Sequence, residues 1–142
     1  MMYIGMHKVM PNRKGIILPQ EVYQAFLQRN PDFPDRLLAL RSAQHDLPYL
    51  CYADSLGVRN ESLVRTILST EVEQKAVVIS GKELHIPPAW AEHAHLGKPA
   101  VLIGCGHYFE VWDPSHYVAI RLRDTFLEIT LEHIQAHREK AA

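Results

Sequence analysis

The sequence of 142 residues has few cysteines and no excess of charge of either sign. It contains two cysteines, Cys51 and Cys105, which are too few and too far apart for the disulfide framework of a small secreted domain. The formal net charge is −1, so the overall composition indicates neither a nucleic-acid partner nor an anionic membrane surface. Any basic binding surface must therefore be local.

Long apolar runs are also missing. No run approaches the ~20 residues that cross a bilayer. The first ten residues, MMYIGMHKVM, lack the charged leader and continuous apolar core of a signal peptide. Hydrophobic residues nevertheless make up 47% of the chain, which favours a packed core over disorder. We therefore expect a soluble, cytoplasmic globular protein.

Patterns typical of enzymes and metal sites are scarce as well. The sequence has no Gly-rich phosphate loop and no nucleophile elbow. GCGH could be a thiol nucleophile near a histidine, because Cys105 and His107 would share one face of a strand. The flanking glycines instead favour a loop between two strands. His93 and His95 are two residues apart, and helix positions with this spacing do not face each other. We therefore predict no enzyme, no metal site and no cofactor.

A repeat, by contrast, is present. KGIILPQEVYQAF (14–26) and KELHIPPAWAEHA (82–94) align without a gap at a separation of 68 residues. Further along, RLLALRS corresponds to AVLIGCG, and PYLCYADSLGV corresponds to YFEVWDPSHYV, with one loop length changed. Each unit is predicted to contain a strand, a proline, a short helix and two further strands.

Residue types within each unit support this interpretation. Proline ends a strand because it has no N–H to donate, and its fixed φ suits the first turn of a helix. In the first helix, Val22, Ala25 and Phe26 have the spacing of one apolar face. Leu18 and Ile86 occupy equivalent positions and are predicted to be buried. Because each unit is too small to bury its own apolar surface, the two units should share one core.

Two further helices are predicted outside the units. One follows Asn60, a plausible N-cap, and has an apolar stripe. That stripe consists of Leu63, Val64, Ile67 and Leu68. The other, near the C-terminus, would place Leu127, Leu131 and Ile134 on one face, packed either on a neighbouring subunit or on the same chain. The predicted organisation is repeat 1 over 1–55, a linker helix over 56–73, repeat 2 over 74–117 and a C-terminal helical tail over 118–142.

Local positive charge is found just before each repeated strand, in MPNRKGI and VISGKEL. Arg13 and Lys14 lie in a predicted turn, because Pro11, Asn12 and Gly15 all favour turns. Cations on such a turn could contact nucleic-acid phosphates. The alternative is an ordinary solvated loop, which the residues alone favour.

The whole pattern resembles the MraZ family of bacterial transcriptional regulators. Tyr3 and Gly5 fit the family's opening, ILP and HIPPAW fit its strand-to-helix corners, and VLIGCGHYFEVWD fits its last hairpin. The resemblance implies a β-rich α+β fold in which two AbrB-like (SpoVT-AbrB) swapped-hairpin repeats, related by a pseudo-twofold axis, form one double-repeat barrel. It also implies a ring-forming homo-oligomer in the nucleoid that binds the promoter region of its own operon, in a division and cell-wall gene cluster.

The family's Asp-x-x-x-Arg motif is not kept in either half. Counting back from Pro87, Ile79 and Glu83 occupy the Asp and Arg positions. In the first half these positions fall on Pro11 and Gly15 when counted from Pro19. Counted from Tyr3 and Gly5, they fall on Asn12 and Ile16. The motif arginine is therefore absent in every register.

The remaining candidates for DNA contact are Arg13, Lys14, Lys82 and Lys8. Glu83 would repel phosphate where the family has an attractive charge, so the first half should contribute most of the affinity. A second hypothesis follows from the same departure. The chain could be a paralogue that kept the fold, lost DNA binding and serves as a protein-interaction module.

Overall fold

The computed structural model describes residues 1–32, 35–42, 49–59 and 72–122. These residues form a β-rich α+β fold, as predicted, with eight strands and short helices. The strands are β1 (Met6–Val9), β2 (Gly15–Ile17), β3 (Arg36–Ser42), β4 (Tyr49–Ala53), β5 (Val72–Ser80), β6 (Glu83–His85), β7 (Ala100–Gly104) and β8 (Tyr108–Trp112). The helices are α1 (Gln20–Arg29), α2 (Pro88–His93) and α3 (Pro114–Tyr117), with a 3-10 turn at Gly57–Arg59 and a π-helical turn at Val118–Leu122.

All strand pairs are antiparallel and form one sheet, which curls into a nearly closed barrel. The strand order is β1-β7-β8-β4-β3-β5-β6-β2. Within this sheet, β4 and β8 pair from Tyr49 opposite Trp112 to Ala53 opposite Tyr108. Tyr49 also stacks on the Trp112 ring at 4.5 Å between centroids, so an aromatic pair reinforces the ladder.

The repeated residues lie in the core. Ile16 and Leu84 face each other across the β2–β6 ladder and are completely buried. Leu18 and Ile86 are also buried, which confirms the prediction for these two positions. They belong to a single apolar cluster that draws on both halves of the chain and includes Phe26. Equivalent residues of the two strand–proline–helix segments therefore contribute to the same core.

Helix α1 follows the apolar pattern of its sequence. Val22, Ala25 and Phe26 are its buried residues, as the spacing predicted. Pro19 immediately precedes this helix, and Pro87 immediately precedes α2. Neither proline provides a side-chain cap, and their ψ values of 148° and 137° place them just outside the helices. In α2 the next residue, Pro88, is the first helical residue, where the fixed φ of proline favours the start of a helix.

Several predicted features can be placed only in part. Gly57–Arg59, at the start of the predicted linker helix, forms a 3-10 turn, and β5 begins at Val72. The stripe at 63–68 and the C-terminal stripe at 127–134 lie outside the described residues. Cys105–His107 connects β7 to β8, in agreement with a loop between two strands. Within the described part of the chain, no helix is both long and apolar enough to span a bilayer.

Candidate nucleic-acid interface

The turn that carries Arg13 and Lys14 is held by its own polar groups. The Asn12 side-chain oxygen accepts hydrogen bonds from the N–H groups of Lys14 (2.8 Å) and Gly15 (3.0 Å). The Asn12 N–H in turn donates to the Gly15 carbonyl at 2.8 Å. This Asx-type arrangement fixes the backbone and leaves the Arg13 and Lys14 side chains exposed. We call residues 10–14 the first turn.

Gly15, which follows the first turn, has no room for a side chain. Its φ is +153°, and a Cβ built on it would collide with the Leu84 carbonyl oxygen. Gly15 is also the position, counted from Pro19, that the resemblance assigns to an arginine. In this backbone an arginine would not fit there, so the positive charge of the first turn comes from Arg13 and Lys14.

Lys82 lies in a tighter connection between β5 and β6. Ser80 pairs with Glu83, so Gly81 and Lys82 form a two-residue hairpin loop, the second turn. Gly81 has a φ of +60°, whereas Lys82 does not have positive φ, which is the pattern of a type II′ turn. The exposed Lys82 ammonium group donates to the side-chain oxygen of Gln20, the first residue of α1.

The β2–β6 ladder connects the two turns. The Leu18 N–H donates to the Lys82 carbonyl at 2.8 Å, and the Ile86 N–H donates to the Lys14 carbonyl at 3.0 Å. Lys14 and Lys82 therefore lie at opposite ends of one short ladder. Four residue steps separate these ends, or roughly 13 Å at the ordinary rise of a strand.

The surface between the turns is not uniformly positive. Ile17 is 51% exposed, and it pairs with the half-buried Glu83. His85, also exposed, pairs with Gly15. A carboxylate therefore lies on the ladder next to Lys82, which weakens the positive potential of the second turn but not that of the first.

In the second half, the position that the resemblance assigns to Asp is occupied by an apolar residue of the core. Ile79, at the expected Asp position, is buried on β5 and pairs with Leu84. No ionic brace between residues 79 and 83 is therefore available. Lys8, the fourth candidate, lies on β1 rather than in a turn, and it shares the exposed side of that segment with Met6 and Met10.

A buried charged cluster that the sequence did not predict lies elsewhere in the fold. The Asp54 carboxylate is completely buried, and the Arg29 side chain is 4% exposed. Arg29 donates two hydrogen bonds to Asp54, from Nε at 2.6 Å and from Nη2 at 3.1 Å. Asp54 also accepts from the Tyr3 hydroxyl (2.7 Å), the Gly57 N–H (2.7 Å) and the Asn30 amide (3.1 Å).

These partners shift the proton affinities in the direction that keeps the pair ionised. Burial by itself raises the pKa of Asp54, but hydrogen bonds, foremost from Arg29, outweigh it and lower the pKa to about 2. The hydrogen bond to Asp54 raises the pKa of Arg29. Burial, and next the Asp54 carboxylate, raise the pKa of Tyr3. The cluster is thus a fully paired ionic site inside the protein.

The cluster connects segments that are distant in sequence. Arg29 ends α1, Asp54 follows β4, and Arg29 also donates to the Met1 carbonyl at 2.9 Å and the His107 carbonyl at 3.3 Å. The one local sign of it is the Asp54-to-Gly57 spacing, because an aspartate three residues before a turn N–H is a common cap. None of these residues belongs to either cationic turn.

A metal centre is not indicated by the part of the chain that the structure describes, where no three His, Cys, Asp or Glu side chains come together. Comparison with known proteins does not identify a family for this chain. No family model matches the sequence, and no curated protein matches it.

Proposed function

We propose that this protein is a DNA-binding transcriptional regulator that resembles the MraZ family and binds the promoter region of its own operon in the nucleoid. The observation that carries the proposal is the pair of exposed cationic turns at opposite ends of the β2–β6 ladder. The ends of that ladder are roughly 13 Å apart along the strands, close to the ~12 Å width of the major groove of B-DNA. Such a placement suits cations that contact phosphates on either side of a groove.

The strand order supports a pseudo-twofold relation between the two units. Exchange of β1–β4 with β5–β8 turns the β1–β7 pair into the β5–β3 pair and the β7–β8 pair into the β3–β4 pair, both of which occur. The β5–β6 pair has no counterpart among the strand pairs, because β1 and β2 are not paired. Each unit's first strand pairs with the third strand of the other unit, which favours a swapped-hairpin arrangement.

The residue pairs of the β2–β6 ladder support the same pseudo-twofold relation. Ile16 and Leu84, equivalent in the 68-residue register, lie directly opposite each other. The two flanking hydrogen bonds, Leu18 to Lys82 and Ile86 to Lys14, are also equivalent in that register. A twofold axis through the middle of this ladder would relate the two turns to each other.

We expect the first turn to contribute most of the affinity for DNA. Arg13 and Lys14 are both exposed and have no carboxylate beside them in sequence, whereas Lys82 is followed by Glu83. Changing Glu83 to Arg replaces repulsion of phosphate by attraction, so Glu83→Arg should strengthen binding if the second turn also faces the duplex.

We also propose that the chain assembles into a closed homo-oligomer. Ile4, Met6 and Met10 are 70%, 59% and 55% exposed and follow one another along the first strand segment. Apolar surface of this kind is often covered by a neighbouring subunit. Light scattering at micromolar concentration should give a mass well above the monomer's 16.2 kDa. A measured mass equal to that of the monomer would exclude the closed oligomer.

One observation favours the second candidate function, a paralogue that no longer binds DNA. Ile79 is part of the core and Glu83 stands at the arginine position, so the ionic motif of the second half is gone. Such a protein would keep the barrel and its assembly and bind other proteins instead.

An electrophoretic shift assay at low salt separates the two candidates. The probe is the DNA upstream of the protein's own operon, tested with the unmodified protein and with Glu83→Arg. A shift by the unmodified protein supports the regulator. A shift by Glu83→Arg alone supports the paralogue that lost DNA binding. If neither protein shifts the probe, the turns do not serve DNA and the proposed function is wrong.

A further inference from the structure

A groove of about 530 Å³ opens beside the first turn. It lies between that turn, the end of β6, helix α2 and the loop that follows α2. Its lining residues are Pro11, Asn12, Arg13, Gly15, Ile86, Pro88, Ala91, Leu96, Gly97 and Lys98. This volume falls within the range of about 300 to 1,000 Å³ that is typical of small-molecule sites.

One wall of the groove is fixed by the way α2 ends. His95 has a φ of 52°, its N–H donates to the Glu92 carbonyl at 3.0 Å, and the Leu96 N–H donates to the Ala91 carbonyl at 3.0 Å. These two hydrogen bonds, together with the left-handed conformation of His95, form a Schellman motif. The motif folds Leu96 back toward Ala91, and both side chains pack against the core. The position of Gly97 and Lys98 follows from this reversal.

The opposite wall is the first turn, whose backbone is held by Asn12. Arg13 therefore projects from a fixed backbone, and Lys98 lines the same groove from the loop that follows α2. Both side chains are exposed, and neither forms an ion pair with another described residue.

The lining has a marked chemical division. Ile86, Pro88, Ala91 and Leu96 supply apolar surface, and the two charged residues among the described lining, Arg13 and Lys98, are both cations. No carboxylate of the described residues lines the groove. An apolar surface with an unopposed pair of cations is complementary to a molecule with an apolar body and one anionic head. A nucleic-acid phosphate would use the cations but not the apolar surface.

We propose that this groove binds a small amphipathic anion, such as a carboxylate with a short aliphatic or aromatic body. The apolar body lies on Ile86, Ala91 and Leu96, and the acidic head contacts Arg13 and Lys98. The proposal does not rest on DNA binding, although Arg13 belongs to both surfaces.

The test is an NMR titration of the full chain with octanoate and, as an uncharged probe of nearly equal apolar body, octanol. We expect octanoate to shift the amide signals of Ala91, Leu96 and Gly97 saturably. Replacing both cations in the variant Arg13→Gln, Lys98→Gln should weaken octanoate binding about threefold to tenfold and leave octanol binding unchanged. Since both side chains are exposed, the double variant should keep the fold, which its unchanged spectrum outside the groove will show.

A matched variant controls for the change in net charge. Arg59→Gln, Lys75→Gln removes two exposed cations that do not line the groove, and it should bind octanoate like the unmodified protein. Three results would overturn the proposal: no saturable shift with octanoate, equal weakening in the two double variants, or equal weakening of octanoate and octanol binding. The first of these is also the result expected if another segment of the chain or a second copy fills the groove.

Discussion

Arg29 and Arg13 place the same side chain in opposite surroundings. The Arg29 guanidinium is buried, bonded twice to Asp54 and positioned over the Tyr3 ring at 5.0 Å. Arg13 is exposed on a turn whose backbone is held by Asn12 and not by the arginine. A buried charge must be paired within the protein, whereas an exposed charge remains free to contact a ligand. We therefore assign Arg29 to stability and propose a role in binding for Arg13.

The largest effect expected from this comparison is on the free energy of unfolding. Arg29→Met removes the main partner of a completely buried carboxylate, which should destabilise the fold by about 3 to 5 kcal/mol. The same substitution at Arg13 should change the stability by less than about 0.5 kcal/mol. Denaturant unfolding of both variants measures the difference. Equal stabilities of Arg29→Met and Arg13→Met would contradict the assignment.

A second test separates the backbone of the first turn from its side chains. Gly15→Ala should destabilise the protein by about 2 to 4 kcal/mol, because φ is +153° and the new Cβ meets the Leu84 carbonyl. Gly97→Ala is the matched control, since an added Cβ there meets nothing within 4 Å and φ is not positive. Thermal unfolding of the two variants should give clearly different midpoints, and similar midpoints would show that the turn can relax.

The pH dependence of stability tests the buried cluster without changing its shape. The pKa of Asp54 is about 2 in the folded protein, against an ordinary value of 3.8. Its stabilising contribution is therefore complete above about pH 5 and declines as the pH falls toward 2, by about 2 kcal/mol in all. Asp54→Asn should be less stable at neutral pH, and its stability should fall less on acidification than that of the unmodified protein. Parallel pH curves for the two would contradict the lowered pKa.

The sequence predicted what depends on local pattern. Apolar spacing identified Val22, Ala25 and Phe26 as the buried face of α1, and the repeat register placed Leu18 and Ile86 in the core. Glycines around Cys105 indicated the loop between β7 and β8. These features follow from neighbours within a few residues, where steric rules and periodicity apply directly.

Features that depend on long-range packing were not predictable in the same way. Arg29 and Asp54 are 25 residues apart, and Tyr3 lies 51 residues from Asp54, so no spacing rule connects them. The groove depends on a Schellman motif whose left-handed residue is His95 rather than glycine, which removes the usual sign of such a helix end. Strand order likewise results from the pairing of β1 with β7, a choice that neither strand reveals alone.

The salt dependence of DNA affinity tests the central assignment of the exposed cations most directly. The unmodified protein should bind operon DNA with an affinity that falls linearly with salt on logarithmic axes. Arg13→Ala, Lys14→Ala should weaken binding and reduce the steepness of that line by about 1.8, because each phosphate that a cation neutralises adds about 0.9 to it. Arg59→Gln, Lys75→Gln should leave the slope unchanged. A slope that is the same with and without Arg13 and Lys14 would contradict the account.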